Sequence, residues 1–145
     1  MTVRWTLTVD CTDAPRVARF WREALGYVDA PPPTGFATWD DWFRAFDVPD
    51  DERDQGASLV DPEGVLPQVT FLAVPEPKVA KNRVHLDLQV SGGRHRPADE
   101  RRAAIAATVE RLVAAGATVV EELEHAGALD HVVLADPEGN ELCVV

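Results

Sequence analysis

The tetrapeptide Asp-Pro-Glu-Gly at residues 61–64 recurs at residues 136–139, and a short run of β-prone residues follows each copy. Proline at the second position and glycine at the fourth are typical of a type I turn that joins two antiparallel strands. A match of four residues can arise by chance, so its meaning depends on whether the surrounding sequence repeats as well. It does, and the repeat predicts a chain built from two copies of one structural unit.

The same order of elements precedes each of the two turns. An alternating strand at residues 4–11 leads to an amphipathic helix that ends at Gly26, and a second alternating strand at residues 84–90 leads to a helix that ends at Gly116. Alternation with period two predicts half-buried strands, apolar residues at helical spacing predict packed helices, and glycine commonly ends a helix. With the strands that follow, each half reads as a βαβββ module of an α+β protein.

These boundaries predict a single domain over residues 1–145, with a first module at about 1–75 and a second at about 82–145. Residues 39–55 have no counterpart in the second half and form an insertion that carries tryptophans among many acidic residues. Thr38 followed by Asp41 resembles a capping box, so we expect a short helix to begin there. Two copies are too few for a solenoid, which favours one pseudo-symmetric domain.

Composition narrows the class of partner. Lysine and arginine number 14 against 25 aspartates and glutamates, a formal net charge of −11, which disfavours binding to nucleic acid and anionic membranes. Such a charge would attract a cationic ligand, but a role in keeping the protein soluble is the more common one. No apolar run reaches the length of a bilayer and no charged-then-apolar leader follows Met1, so we expect a cytoplasmic protein. Cys11 and Cys143 form no CxxC pattern. The excess of arginine over lysine indicates a GC-rich bacterial genome.

Three stretches resemble the glyoxalase/bleomycin-resistance/dioxygenase proteins, the vicinal oxygen chelate superfamily, and in particular its glyoxalase-like domain subgroup. They are the opening at residues 10–26, the linker and strand at residues 74–88 with the specific run Lys-Asn-Arg-Val-His-Leu-Asp at 81–87, and the last hairpin at residues 136–143. The resemblance covers essentially the whole chain. It implies a strongly curved mixed sheet of two βαβββ modules, with a ligand cavity in its concave face and helices outside.

The resemblance also implies where a metal binds in metal-bearing relatives. Carried over here, the four ligand places are Thr6, Gln68 (or Thr70 on the same face), His85 and Cys143. Divalent metals in such sites take histidine and carboxylate ligands, typically at least three from the protein, and only His85 keeps a family-type ligand. We therefore expect no catalytic metal and no other cofactor.

The remaining candidates come from the strand at residues 84–90, the last hairpin and the insertion. Asp87 lies two residues from His85 on one strand face and can influence protonation of the imidazole, but many structural pairs look the same, so binding is favoured over acid–base catalysis. Cys143 is interpreted as a small buried hydrophobe rather than a nucleophile. Trp39 and Trp42 are either core residues of the insertion or a platform for flat or cationic ligands. The expected ligand-binding residues are Thr6, Gln68, His85, Asp87, Cys143, Trp39 and Trp42.

Three functions stay open at this point. The first is metal-independent binding of a planar or cationic small molecule, which the acidic charge and the tryptophan-bearing insertion favour. The second is an enzyme of the lyase, isomerase or dioxygenase class that uses His85 and Asp87 or an atypical metal site. The third is a structural dimer with a vestigial cavity. In each case we expect a homodimer, since bare sheet edges invite association, with no nucleic acid or membrane partner.

Overall fold

The computed structural model describes residues 1–145, the whole of the chain. It contains eight strands and three α-helices, divided between two compact units, Met1–Pro77 and Lys78–Val145. None of the three α-helices is long and apolar enough to cross a membrane. Each unit has one four-stranded mixed sheet with one long helix packed against it.

The first unit follows the predicted βαβββ order, with the insertion before its third strand. Its sheet has the order β1-β4-β3-β2, in which β1 and β4 run parallel and the other neighbours are antiparallel. The elements are β1 (Leu7–Cys11), α1 (Ala14–Leu25), β2 (Val28–Asp29), α2 (Trp39–Ala45), a short 3-10 helix (Asp50–Glu52), β3 (Gly56–Val60) and β4 (Val69–Ala73).

Capping residues fix both helices of the first unit. Asp13 accepts a hydrogen bond from the backbone N–H of Arg16 at 3.0 Å to start α1, and Gly26 ends it in the left-handed region. In the insertion, the Thr38 hydroxyl accepts a bond from the backbone N–H of Asp41 at 3.1 Å, so α2 begins where the capping box predicted.

The second unit repeats the arrangement of the first. Its sheet has the order β5-β8-β7-β6, again with the first and last strands of the unit parallel and the rest antiparallel. Its elements are β5 (Leu86–Leu88), α3 (Ala98–Ala114), β6 (Thr118–His125), β7 (Ala128–Ala135) and β8 (Glu141–Val144). The equal strand orders confirm the prediction of two βαβββ modules in an α+β protein.

The first strand of each unit is shorter than its alternation predicts. The predicted strand at residues 4–11 begins only at Leu7, and the one at residues 84–90 is confined to Leu86–Leu88, where it has register partners in β8. Trp5, placed on the apolar strand face by alternation, lies before β1 and is 65% exposed. Alternation reports the pattern of side chains, whereas a strand also needs a partner for its backbone.

The two Asp-Pro-Glu-Gly turns are built alike. In each, the glycine N–H donates to the carbonyl of the aspartate three residues earlier, at 3.0 Å in the first turn and 2.9 Å in the second. Asp136, which is 3% exposed, also accepts backbone bonds from Glu138 and Asn140, both at 2.9 Å. Its carboxylate therefore replaces the strand partners that these N–H groups lack inside the turn.

We expect Asp136→Ala to lower the free energy of unfolding by about 1–3 kcal/mol, because buried backbone donors lose their acceptor. Urea denaturation of the variant and the parent measures the change. Asp61→Ala removes the same side chain from the first turn and serves as the matched control. The three backbone donors of Asp61 belong to exposed residues that water can serve, so a smaller loss is expected there. An equal or greater loss in the Asp61 variant would contradict this account.

Candidate functional site

In each unit the long helix covers one face of the sheet and leaves a polar face opposite. In β4, Val69 and Phe71 are buried, and Thr70 between them points to the other face. In β8, Leu142 and Val144 are fully buried and Cys143 lies between them. The polar faces of the two sheets each border a cavity.

The cavity of the first unit, here called the aromatic cavity, has a volume of about 450 Å³. Trp39, Trp42 and Phe43 of α2 form one wall, and Ser58 and Thr70 reach it from β3 and β4. The Trp39 and Trp42 rings are 5.8 Å apart at 78°, and the Trp42 and Phe43 rings are 5.5 Å apart at 71°. Edge-to-face contacts of this kind hold the rings as one rigid cluster.

Hydrogen bonds fix the polar side of the aromatic cavity. Ser58 and Thr70 are register partners, and their hydroxyl oxygens are 2.9 Å apart. The Gln68 amide donates to the Thr70 hydroxyl at 3.2 Å, and the Trp39 indole N–H donates to the carbonyl of Ala30 at 3.0 Å. The Trp39 indole is thus anchored through its N–H, which leaves the faces of the ring available for contact with a ligand.

Charged groups at this cavity differ in whether they already have partners. Asp29 forms an ion pair with Arg22 at 2.8 Å, and Arg53 forms one with Asp50 at 2.9 Å. Glu52 also lines the cavity and forms no ion pair. The unbalanced charge at the aromatic cavity is therefore negative.

The second unit brings His85, Asp87 and Cys143 together at the start of β5 and its neighbour β8. Asp87 and Cys143 are register partners, which puts their side chains on one face. His85 Nδ1 lies 3.1 Å from Asp87 Oδ1 and 3.8 Å from Cys143 Sγ. Burial, with the charge of Asp87 adding to it, raises the pKa of the Cys143 thiol, so this cysteine is a weak nucleophile at neutral pH.

These three residues border a cavity of about 350 Å³, here called the polar cavity, together with a second charged cluster. The pairing of β6 with β7 skips Asp130, so a β-bulge turns this side chain out of the ladder. Arg94 donates two bonds to its carboxylate, at 2.7 and 2.9 Å, and His131 Nδ1 lies 2.9 Å from it. The bonds from Arg94, and then from His131, hold the pKa of Asp130 well below its usual range.

Comparison with known proteins identifies the family of this chain. The family model described as the glyoxalase-like domain matches residues 6–145. The chain belongs to this family. A search of curated proteins finds no match.

Solved structures agree with the family assignment. A glyoxalase/bleomycin resistance protein/dioxygenase family enzyme from Burkholderia phytofirmans PsJN has a TM-score of 0.60 at 15% identity, over 96% of this chain and 94% of that one. The fosfomycin resistance protein FosX from Mesorhizobium loti has a TM-score of 0.62 at 10% identity, over 99% and 90%. A FosX mutant from Listeria monocytogenes, complexed with Mn(II) and 1S,2S-dihydroxypropylphosphonic acid, has a TM-score of 0.60 at 10% identity, over 99% and 89%. These likenesses confirm the predicted fold.

The predicted ligand-binding residues of this glyoxalase-like protein fall in several places. Trp39 and Trp42 line the aromatic cavity, whereas His85, Asp87 and Cys143 line the polar cavity. Gln68 borders neither cavity but bonds to Thr70, which lines the first. Thr6 is exposed, precedes β1 and lines neither. A common site for all seven residues stays a prediction.

Sequence reasoning missed the charged cluster of the polar cavity. Arg94 follows two glycines in a loop, and Asp130 owes its position to a bulge. Arg101, which also lines the polar cavity, lies in α3. Alternation cannot reveal a bulge, because the skipped residue shifts the pattern by one. The one usable signal was the adjacent Asp130-His131 pair in a strand of apolar residues.

His85, Asp87 and Cys143 are also the residues that fit a divalent metal. Their potential ligand atoms lie within 4.8 Å of one another, and nitrogen, carboxylate oxygen and sulfur are the donors that zinc accepts. The sequence interpretation counted Asp87 as the partner of His85 and not as a ligand. With Asp87 included, three donors would hold an ion, and such an ion would supply Lewis-acid activation of a bound water or carbonyl.

The lowered pKa of Asp130 predicts how stability depends on pH. Its folded-state pKa lies below its unfolded value, so the ionised carboxylate stabilises the fold above the unfolded pKa and the contribution is lost as the pH falls through the folded pKa. We expect Asp130→Asn to lower the unfolding free energy more at about pH 6 than at about pH 3. Urea denaturation at both pH values tests this. Asp54→Asn, an exposed acid without an ion pair, should show no such pH-dependent loss.

Proposed function

We propose that this glyoxalase-like protein binds a small, flat, positively charged organic molecule in the aromatic cavity, without the help of a metal. The observation that carries the proposal is a cavity lined both by the rings of Trp39, Trp42 and Phe43 and by the paired hydroxyls of Ser58 and Thr70. The cavity lining contains no histidine and no cysteine. Recognition at this cavity therefore depends on rings, hydroxyls and charge.

Size and rigidity favour a ligand role over plain core packing. A volume of about 450 Å³ lies within the range of small-molecule pockets. Trp39 is 38% exposed, and none of the residues of α2 is buried, so these rings are not part of the buried core. A rigid aromatic surface gives contact area at little cost in conformational entropy.

Charge favours a cation. Arg53 already lies over the Phe43 ring, 5.4 Å from its centroid, which supports contact between a cation and these rings. That guanidinium is neutralised by Asp50 at 2.9 Å and Asp40 at 3.7 Å, while Glu52 keeps its charge for a ligand. The formal net charge of −11 adds long-range attraction.

N-Methylquinolinium, a flat organic cation, is a suitable probe for calorimetric titration, and uncharged quinoline is its neutral counterpart. We expect the cation to bind more tightly, and Trp42→Ala to weaken its binding by about 1–3 kcal/mol because a packed aromatic contact is lost. Trp5→Ala removes an exposed indole outside the cavity and serves as the control. Unchanged affinity in Trp42→Ala would refute the proposal.

The charge argument has a separate control within the 3-10 helix. Glu52→Gln should reduce binding of the cation but leave binding of quinoline unchanged, and added salt should reduce this difference. Asp51→Asn makes the same charge change one residue away, on an exposed side chain that does not line the cavity. Equal losses in both variants would indicate attraction by net charge alone.

The His85, Asp87 and Cys143 cluster favours a second candidate function, a metal-dependent enzyme. The crystallised FosX mutant from Listeria monocytogenes holds Mn(II), so the fold admits a metal. If the protein binds its ligand without a metal, we expect less than about one-tenth of an equivalent of zinc, iron, manganese or nickel in the purified protein. We also expect chelator to leave the melting temperature unchanged.

Elemental analysis decides between the two candidates. About one equivalent of metal, lost in Cys143→Ser but kept in Cys11→Ser, would establish the metal site and overturn the expectation drawn from the sequence. Cys11→Ser makes the same chemical change at a buried cysteine of the first unit that is not in a disulfide. The homodimer and the cytoplasmic location stay predictions.

A further inference from the structure

Arg101 in the fourth position of α3 is a buried charge without a partner. The residue is 8% exposed, and its Nε has no hydrogen-bond partner. It lines the polar cavity, in a unit where the other cavity-lining arginine, Arg94, is held by Asp130. A buried guanidinium normally pairs with an anion, because leaving its charge uncompensated is costly.

We propose that the polar cavity is a binding site for a small molecule bearing a single carboxylate, with Arg101 as the anchor. This site is independent of the aromatic cavity of the first unit. Its chemistry is that of anion recognition, since a guanidinium offers a planar set of N–H donors that matches the two oxygens of a carboxylate. The cavity volume of about 350 Å³ accommodates a small organic acid.

The charges that line the cavity favour one negative charge over two. Among the side chains that line the cavity, Arg94 and Arg101 are balanced by Asp87 and Asp130, which leaves no net side-chain charge when the histidines are neutral. Asp130 is taken by Arg94, and Asp87 is within hydrogen-bond distance of His85. A monoanion can therefore pair with the one free guanidinium, whereas the second charge of a dianion such as hydrogen phosphate finds no further unpaired cation and is repelled by Asp87.

Further polar groups border the same cavity and can complete the recognition. Ser91 supplies a hydroxyl, Gln89 an amide and His131 of β7 an imidazole. Ser91 already holds its local loop through a bond from the Gly93 N–H at 3.4 Å. Arg101 is thus the one lining cation without a carboxylate partner, and the proposal rests on it.

Propionate titrated into the full-length protein at constant ionic strength tests the proposal, with propionamide as the uncharged isostere and inorganic phosphate as the dianionic competitor. All three compounds are aliphatic or inorganic, so they do not probe the aromatic cavity. The readouts are the Nε–H resonance of Arg101 and the backbone amides of Ser91 and Gly93 by NMR. We expect saturable shifts with propionate, binding weaker by about ten-fold or more with propionamide, and weaker binding of phosphate than of propionate.

Variants separate binding from structure. Arg101→Gln should abolish the propionate response while the melting temperature without ligand stays the same or rises, because an uncompensated buried charge is removed. A purely structural arginine would instead lower the melting temperature on replacement. Arg102→Gln, the exposed neighbour with the same charge change, should bind propionate like the parent. Arg101→Lys retains the charge and provides a folded comparison if the glutamine variant is unstable.

These experiments can fail independently of the experiments that test the proposed function. Trp42→Ala should leave the propionate response intact, so failure of one site does not imply failure of the other. Saturable propionate binding in Arg101→Gln, equal binding of propionate and propionamide, or tighter binding of phosphate than of propionate would each overturn the assignment.

Discussion

The alternation of side chains along β4 and β8, the strands that run parallel to the first strand of their own unit, is the constraint on which both cavities depend. Val69 and Phe71, like Leu142 and Val144, are buried on the helix-covered faces. A strand with period two must then present its intervening residue on the opposite face. A register shift by one residue would exchange the two sets, burying polar groups and exposing the core, so burial of the helix-covered face also fixes where the polar face lies.

The units share this constraint but differ in what surrounds their polar faces. In the first, the insertion places α2 beside the sheet and gives the cavity aromatic rings. In the second, a bulge at Asp130 and the loop carrying Arg94 give a cavity of charges. One repeated frame therefore carries two different sets of recognition groups, since residues outside the repeat determine the chemistry. Shared fold alone does not fix function, which resides in such local additions.

Much of the frame could be predicted from the sequence because its signals are local. The two turns follow from proline and glycine at fixed positions, the start of α2 follows from Thr38 and Asp41, and the pairing of His85 with Asp87 follows from strand spacing. The cavity chemistry was less accessible. Whether Trp42 packs into a core or faces a cavity, and whether Arg101 meets a carboxylate, depends on elements distant in sequence. Neither propensity nor periodicity reports such tertiary relations.

The central claim, that the rings of α2 form a ligand platform, is tested most directly by the indole N–H signals in an NMR titration with N-methylquinolinium. The chain has four tryptophans, of which Trp39 and Trp42 line the aromatic cavity, Trp21 is buried in the core and Trp5 is exposed. The account predicts saturable shifts of the Trp39 and Trp42 indoles, with those of Trp5 and Trp21 unchanged. A shift at Trp5 without one at Trp42, or shifts confined to residues 78–145, would contradict it.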